Sequence, residues 1–409
     1  MKIFEKLSIL ADSAKYDVSC SSSGANESVK YGGIGSTCNS GICHTFTNDG
    51  RCVSLLKVLL TNFCVYDCTY CINRVSNDRK RAAFSPRELA ELTINFYKRN
   101  YIEGLFLSSG ILKNEDYTME LIIKTLKILR YEYGFDGYVH VKLIPGASKE
   151  LIQVATTLAN RVSSNIELPT SKSLLLLAPQ KSKAKVLEPL VIAKNLSLEK
   201  TNKPISMSTQ MIIGASEESD FEILQTSSLL YEKALLKRVY YSAYVHVNKD
   251  AKLPVAINHT PPLKREHRLY QADWLLRFYG FSYEELFKEE KNLDLGIDPK
   301  TFWALHNLEK FPIDINKASK EELIRIPGIG IRGAYKILSA RKYKNLDLED
   351  LKKLKISIKK ARYFILSKGK YQKEIPMYKE NLKLALSDKS TLIQPKLFDE
   401  NYSVLSGEL

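Results

Sequence analysis

The sequence predicts an α/β chain: a partial six-stranded, barrel-like parallel sheet with helical crossovers, followed by a small all-helical module. Three observations carry this. Six short β-branched, leucine- or aromatic-rich runs alternate with amphipathic stretches along residues 54–244. The hydrophobic fraction, 44% of 409 residues, is enough for a large core. The cationic excess is uneven: residues 301–370 hold 17 basic and 7 acidic residues, net +10 of the chain's +15.

In order, the expected strands are 54–61, 104–108, 137–143, 162–168, 207–213 and 238–244. Helices are expected at 86–99, 118–131, 148–158, 171–194 and 217–235. Ser85 before Pro86 is a good N-cap followed by a first-turn proline. Strand–helix alternation implies right-handed crossovers, and such a sheet carries its site at the strand C-terminal ends. Asn62, Ser108-Ser109-Gly110, Asn165 and Glu167 lie there. A further helix is expected at 264–279, after the prolines at 254, 261 and 262. The expected division is a cysteine-rich extension (1–52), the barrel with its helical extension (53–300), the basic module (301–372) and a tail (373–409). No apolar run approaches the ~18 residues a membrane span needs. Met1 to Leu10 lacks the pattern of a signal peptide, so a cytoplasmic location is expected.

All seven cysteines, Cys20, Cys38, Cys43, Cys52, Cys64, Cys68 and Cys71, fall within the first 71 residues. An odd, crowded set without a secretion signal argues for metal ligation over disulfides. Cys64-x-x-x-Cys68-x-x-Cys71 directly follows the first strand. Three thiolates suit one face of a [4Fe–4S] cluster and leave one iron open, whereas structural zinc wants four ligands. The others form a candidate auxiliary Fe–S or zinc site, chiefly Cys20, Cys43 and Cys52. Cys38 sits in a loop tolerant of change, and His44 reads slightly better as a surface histidine. Free or packing thiols are the alternative.

The CxxxCxΦC pattern, placed after the first strand of a β/α chain, resembles the radical S-adenosylmethionine superfamily. The resemblance implies that Cys64, Cys68 and Cys71 bind the cluster, that Tyr70 shields it, and that the open iron chelates S-adenosylmethionine. Reductive cleavage, with an electron donor, would then give a 5′-deoxyadenosyl radical. The resemblance extends to Ser108, Ser109 and Gly110 as the segment near the methionine amino group, by backbone contact since the usual acid is missing. Asn165-Ile-Glu167 is similar to the ribose-binding segment, and Gln210 and Gly214 to the one near adenine. Each has a plain alternative, strand-end polar residues capping loops.

In the basic module, Ser319 and Glu322 form a capping-box pattern and Pro327-Gly328-Ile329-Gly330 allows a tight turn into a second helix. Amides at that helix start are a phosphate site, with Arg332, Lys336, Arg341 and Lys342 as countercharge. The segment, with Gly328, Gly330, Arg332, Gly333 and Lys336, resembles the helix-hairpin-helix motif of DNA-binding proteins. Residues 346–367 look like a degenerate second copy, with Lys355 where a hairpin glycine belongs. The Fe–S DNA glycosylases are rejected: their cysteines follow the hairpin, and Arg332 stands near the place of their lyase lysine.

Segments Ala14–Cys20, Gly41–His44, Asp49–Lys57, Arg99–Gly110 and Lys237–Ser242 resemble a DNA modification/repair family of radical SAM proteins, over about residues 5–370. The resemblance implies a uracil-DNA-glycosylase-like partner. Gln394-Pro-Lys-Leu-Phe398 is similar to sliding-clamp-binding pentapeptides. The expected function is therefore a radical SAM enzyme that modifies or repairs DNA. Its rivals are a radical enzyme modifying RNA and a non-catalytic Fe–S scaffold that recruits a repair partner.

Overall fold

The computed structural model describes residues 1–14, 22–23, 41–46, 51–199, 205–234, 236–254, 262–371 and 378–387. Cys20, Cys38 and the segment Gln394–Phe398 lie outside the described residues. Contacts divide the chain into two units, one over residues 1–218, 229–263 and 397–409, the other over 219–228 and 264–396. Among the described residues no helix is long and apolar enough to cross a membrane.

The first unit is built on an eight-stranded sheet whose spatial order follows the sequence. Helix α1 (Ile3–Ala14) precedes β1 (Ser22–Ser23), β2 (Ile42–Phe46) and β3 (Cys52–Leu59). Then come α2 (Pro86–Lys98), β4 (Gly104–Ser108), α3 (Glu115–Lys127), β5 (Tyr138–Lys142), α4 (Lys149–Leu158) and β6 (Arg161–Ser163). Helices α5 (Ser171–Leu177) and α6 (Lys183–Leu198), β7 (Ser206–Ile213), α7 (Asp220–Ala234) and β8 (Arg238–Ala243) follow. Strands β3 to β8 pair in parallel, while β1 and β2 add an antiparallel edge. The sheet curls into a half-barrel. Arg161 on β6 shows the curl: its guanidinium donates to Thr45 Oγ1 on β2 (3.3 Å) and to Tyr240 Oη on β8 (3.1 Å).

All six expected parallel strands are present, with four departures elsewhere or in their bounds. The expected strands begin at residue 54, yet the cysteine-rich extension supplies β2, which pairs Cys43 with Leu55. The expected helix 171–194 breaks at Ala178: Pro179 disfavours helical geometry before it, and Ser182 caps a new start by accepting from Lys185 N. The fourth strand is shorter than expected: its ladder ends at Ser163, and Glu167 beyond it has φ +62°, outside the strand region. The N-terminus, for which no element was expected, is a helix that buries Leu7, Leu10, Ala11 and Ala14. Gly41, at φ +67°, lets it approach: a Cβ there would lie 2.7 Å from Ala11 Cβ and 2.8 Å from Lys57 O.

The second unit contains α8 (Leu263–Phe278), α9 (Pro299–Leu305), β9 (Ile313–Asp314), α10 (Lys320–Arg325), α11 (Ile331–Ala340), α12 (Leu348–Lys353), α13 (Ile358–Ala361), β10 (Ile365–Ser367), β11 (Lys370–Tyr371) and α14 (Lys379–Leu386). Its hairpins were expected to be helical alone; a three-stranded sheet of β9, β10 and β11 joins them.

Candidate active site

Past the end of β3 the chain enters a loop held by backbone bonds and by side chains that bond its carbonyls and amides. Arg81 donates to four carbonyls, those of Asn62 (2.5 Å), Asn73 (2.9 Å), Arg74 (2.7 Å) and Asn77 (2.9 Å). Asn248 Nδ2 donates to Thr69 O (2.7 Å) and Cys71 O (2.9 Å), and Asn77 Nδ2 donates to Asn248 Oδ1 (2.7 Å). Asn62, buried at the strand end, accepts from Ala82 N (2.8 Å) and donates to Lys80 O (2.9 Å). A 26-residue excursion from Leu60 to Ser85 is thereby fixed without regular structure.

This loop carries Cys64, Cys68 and Cys71 into the wall of a cavity of about 220 Å³ at the strand C-terminal ends. The sulfurs of Cys64 and Cys71 accept from backbone N–H groups of Ile111 and Asn73, each at 3.4 Å. Burial raises the thiol pKa of Cys68, and burial together with Cys68 pushes Cys71 up to about 12. Both are thus neutral thiols here, and binding a cationic cluster would release their protons. Among the described residues no three Cys, His, Asp or Glu side chains converge closely enough to hold a single metal ion. A cubane makes no such demand, since each thiolate takes a different iron.

The barrel interior is layered. Leu59, Ser108, Lys142, Asn165, Gln210 and Ser242, one from each parallel strand or its extension, all line the cavity. Two residues earlier on the same faces, Lys57, Phe106, His140, Ser163, Ser208 and Tyr240 close the layer beneath. Asn165 Nδ2 donates to Gln210 Oε1 at 3.2 Å. Glu167 Oε1 receives a hydrogen bond from Lys181 Nζ at 2.7 Å, and Lys181 lies 6.0 Å from the Tyr70 ring centre. Burial opposes the charge on Lys181, but Glu167 and Cys68 outweigh it and hold its pKa above the usual lysine value. Tyr70 packs against Leu168, Leu177, Ala215, Tyr244 and Leu253, beside the cysteines as expected.

Of the expected site residues, Cys64, Tyr70, Cys68, Cys71, Ser108, Ser109, Gly110, Asn165, Glu167 and Gln210 all line this one cavity. Gly214 does not: it turns the chain after β7 at φ +85°, and a Cβ there would lie 2.8 Å from Pro262 Cγ. Gly110 needs correction in role. Its amide donates to Thr61 O (2.8 Å), and a Cβ would come within 2.3 Å of Phe63 O, so it serves close passage of the cysteine loop. The auxiliary site also changes. Cys43 pairs with Leu55 and packs with Val53, Leu55 and Phe106, whereas exposed Cys52 has the opposite strand parity. They face opposite sides of the sheet and do not share an ion. His44 alternates with Cys43 on the outer face. Sequence reading missed Lys181, Arg81 and Asn248; the signal for Lys181 was Pro179, which ends the helix just before it.

Residues 58–230 match the model of the Radical SAM superfamily, and residues 309–360 match that of a helix-hairpin-helix motif. The chain carries a radical SAM domain. The family implies a [4Fe–4S] cluster and S-adenosylmethionine. Similar solved structures include the [FeFe]-hydrogenase maturase HydG from Carboxydothermus hydrogenoformans (14% identity, 52% of this chain and 48% of that one, TM-score 0.40). Methylornithine synthase PylB (14%, 54% and 60%, 0.43) and coproporphyrinogen III oxidase HemN from Escherichia coli (13%, 52% and 50%, 0.34) are others. The chain spans about half the length of the HydG structures it matches. No curated protein matches it in sequence.

The walls around the radical SAM domain's cysteines suit a polar cofactor. Tyr70 Oη, Asn73 Oδ1, Asn165 Oδ1 and Tyr244 Oη are buried on cavity-lining residues with no hydrogen-bond partner among the described residues. Buried polar atoms without partners are costly, and a ligand bearing hydroxyl and amino groups would satisfy them.

In the second unit the hairpin has the expected form. Ser319 and Glu322 make both bonds of a capping box, Gly328 turns at φ +87°, and Gly330 N-caps α11. Asp347 and Asp350 repeat the box in the second copy, whose turn residue Lys355 adopts φ +56°. Arg332 is exposed at the start of α11. Lys336 Nζ donates to Leu354 O (2.8 Å) and Arg341 to Ala318 O (2.6 Å), so these two cations brace the hairpins themselves.

Proposed function

We propose that this chain is a radical SAM enzyme that modifies or repairs DNA, with a cluster held by Cys64, Cys68 and Cys71. The observation that carries the reading is the meeting of these three thiols with Ser108, Asn165, Glu167, Lys181 and Gln210 around one cavity. A cluster with S-adenosylmethionine would supply a hydrogen-abstracting radical there. The chain's own residues supply the rest. Glu167 accepts hydrogen bonds from ribose hydroxyls while Lys181 fixes its carboxylate in place. Asn165 and Gln210 orient the nucleoside, and Tyr70 with its apolar neighbours keeps water from the sulfurs.

The helix-hairpin-helix motif and the net +10 charge of residues 301–370 support a nucleic-acid substrate held by its backbone without sequence reading. The base or sugar to be modified then reaches the cavity extruded or single-stranded. A uracil-DNA-glycosylase-like partner and a sliding clamp fit a repair role and belong to the same proposal, as does an electron donor.

The test is anaerobic reconstitution with assay of 5′-deoxyadenosine, followed by incubation with deuterated DNA and RNA. Deuterium should appear in 5′-deoxyadenosine from DNA. Transfer only from RNA would assign the rival substrate, and an intact reduced cluster without cleavage would leave a scaffold. Cys64→Ala, Cys68→Ala and Cys71→Ala should each lower iron content; full iron in all three would refute the ligand set.

A further inference from the structure

The layer beneath the cavity floor is unusually cationic. Lys57, on β3, is 6% exposed; among the described residues its Nζ meets no carboxylate or hydrogen-bond acceptor, only the face of Phe106 at 6.0 Å. The next strand places His140 against the other side of that layer, stacked on Phe106 at 4.1 Å and bonded through Nε2 to Ser163 Oγ at 2.9 Å. His140 Nδ1 is buried without a partner among the described residues. Burial, then Arg161, Lys142 and Lys57, in that order, depress the His140 pKa well below its usual value. The imidazole is therefore neutral, and three cations are close enough to keep it so. Lys142, two residues beyond His140, is the member of this group that lines the cavity.

Enclosing a lysine without a counter-ion costs several kcal/mol, and a single cation–π contact offsets about 1–2. Such a cost persists where the charge has work to do. We propose that the floor of the half-barrel is a phosphate subsite, in which Lys142 contacts a substrate phosphate and Lys57 and Arg161 supply the supporting field. The site takes a phosphate mono- or diester oxyanion, which an extruded nucleotide brings with it. The inference rests on the nucleic-acid reading above and narrows it, since it requires the substrate to enter with a phosphate.

The test uses the full chain, reconstituted anaerobically, with thymidine 5′-monophosphate, thymidine and inorganic phosphate as probes in calorimetric titrations. The monophosphate should bind about tenfold or more tighter than thymidine. Lys142→Met should erase that preference and Lys142→Arg should keep it, while Lys149→Ala, at an exposed position, leaves it intact. Inorganic phosphate binding as tightly as the nucleotide, and lost in Lys142→Met, would support the site with free phosphate as its source. Lys57→Met guards against misfolding artefacts: it should raise the melting temperature while weakening monophosphate binding. Equal binding of thymidine and its monophosphate, a preference that survives Lys142→Met or vanishes in Lys149→Ala, or a lowered melting temperature in Lys57→Met would each overturn the proposal. Formation of 5′-deoxyadenosine by the unsubstituted chain reports separately on the parent reading. Cleavage without a phosphate preference sinks the subsite alone, and no cleavage sinks the enzyme.

Discussion

Lys181 and Glu167 form an ion pair of 2.7 Å beside Tyr70, with side chains only 14% and 11% exposed. Glu167 holds its place in the left-handed region at φ +62°, while its backbone still accepts from Ile212 N and donates to Gln210 O. A strained backbone, tied on both sides and ending in a buried carboxylate at a cavity, is a placement that packing alone does not require. Lys181→Met should leave that carboxylate uncompensated and cost about 3–5 kcal/mol in urea unfolding. Adding Glu167→Gln should recover much of the loss. A single-variant cost near zero would show the pair to be solvated.

Gly110→Ala tests the fit between the cysteine loop and β4. With Phe63 O only 2.3 Å from the added methyl, the loop must shift. Stability should fall by more than about 2 kcal/mol, and iron retention should fall with it, because Cys64 follows Phe63 directly. Normal iron content would mean that the loop moves without disturbing the sulfurs.

The two hairpin cations separate by their partners. Arg332 is exposed, whereas Lys336 is engaged with Leu354 O. Arg332→Ala should reduce the slope of log affinity for duplex DNA against log salt by about 1. Lys336→Ala should change the slope less and the stability more. Equal slopes for both variants would contradict a phosphate contact by Arg332.

Lys355 occupies a left-handed turn at φ +56°. Lys355→Gly should relieve the strain and raise unfolding stability by about 0.5–1 kcal/mol, after the entropy that glycine adds to the unfolded chain. Destabilisation would show that the side chain packs usefully.

Lys300 is buried, and its Nζ donates to Ile329 O at 2.6 Å. Burial, partly offset by Asp298, lowers its pKa to about 7 from 10.5. Between those values the unfolded chain binds the proton that the folded chain has lost, so stability rises with pH. The neutral amine still donates to Ile329 O, so no bond is lost. Unfolding free energy should gain several kcal/mol more between about pH 7 and 10.5 in the unsubstituted chain than in Lys300→Met. Equal gains would place the ammonium in solvent.

Much of this was legible in linear order. The six parallel strands, the cysteine loop after the first, and the hairpin each rest on local rules: apolar runs between turns, fixed cysteine spacing, and glycine after a capped helix. Glu167, Asn165 and Gln210 were expected at the cavity for the same reason, since strand ends in such a sheet point at it, and they line it. Gly110 and Gly214 are ambiguous in sequence, because a glycine does not say whether it admits a ligand or another stretch of backbone.

The sequence by itself determined the order of elements, the spacing of the three cysteines and the hairpin turn, because backbone preferences and side-chain period act over a few residues. Only the tertiary structure decided that Lys181 reaches Glu167 and that Cys43 and Cys52 face apart. The gathering of Lys57, His140, Lys142 and Arg161 in one barrel interior was decided there too. Those relations depend on strand register and on the curl of the sheet, which bring together side chains more than a hundred residues apart, as with Arg161 and Thr45.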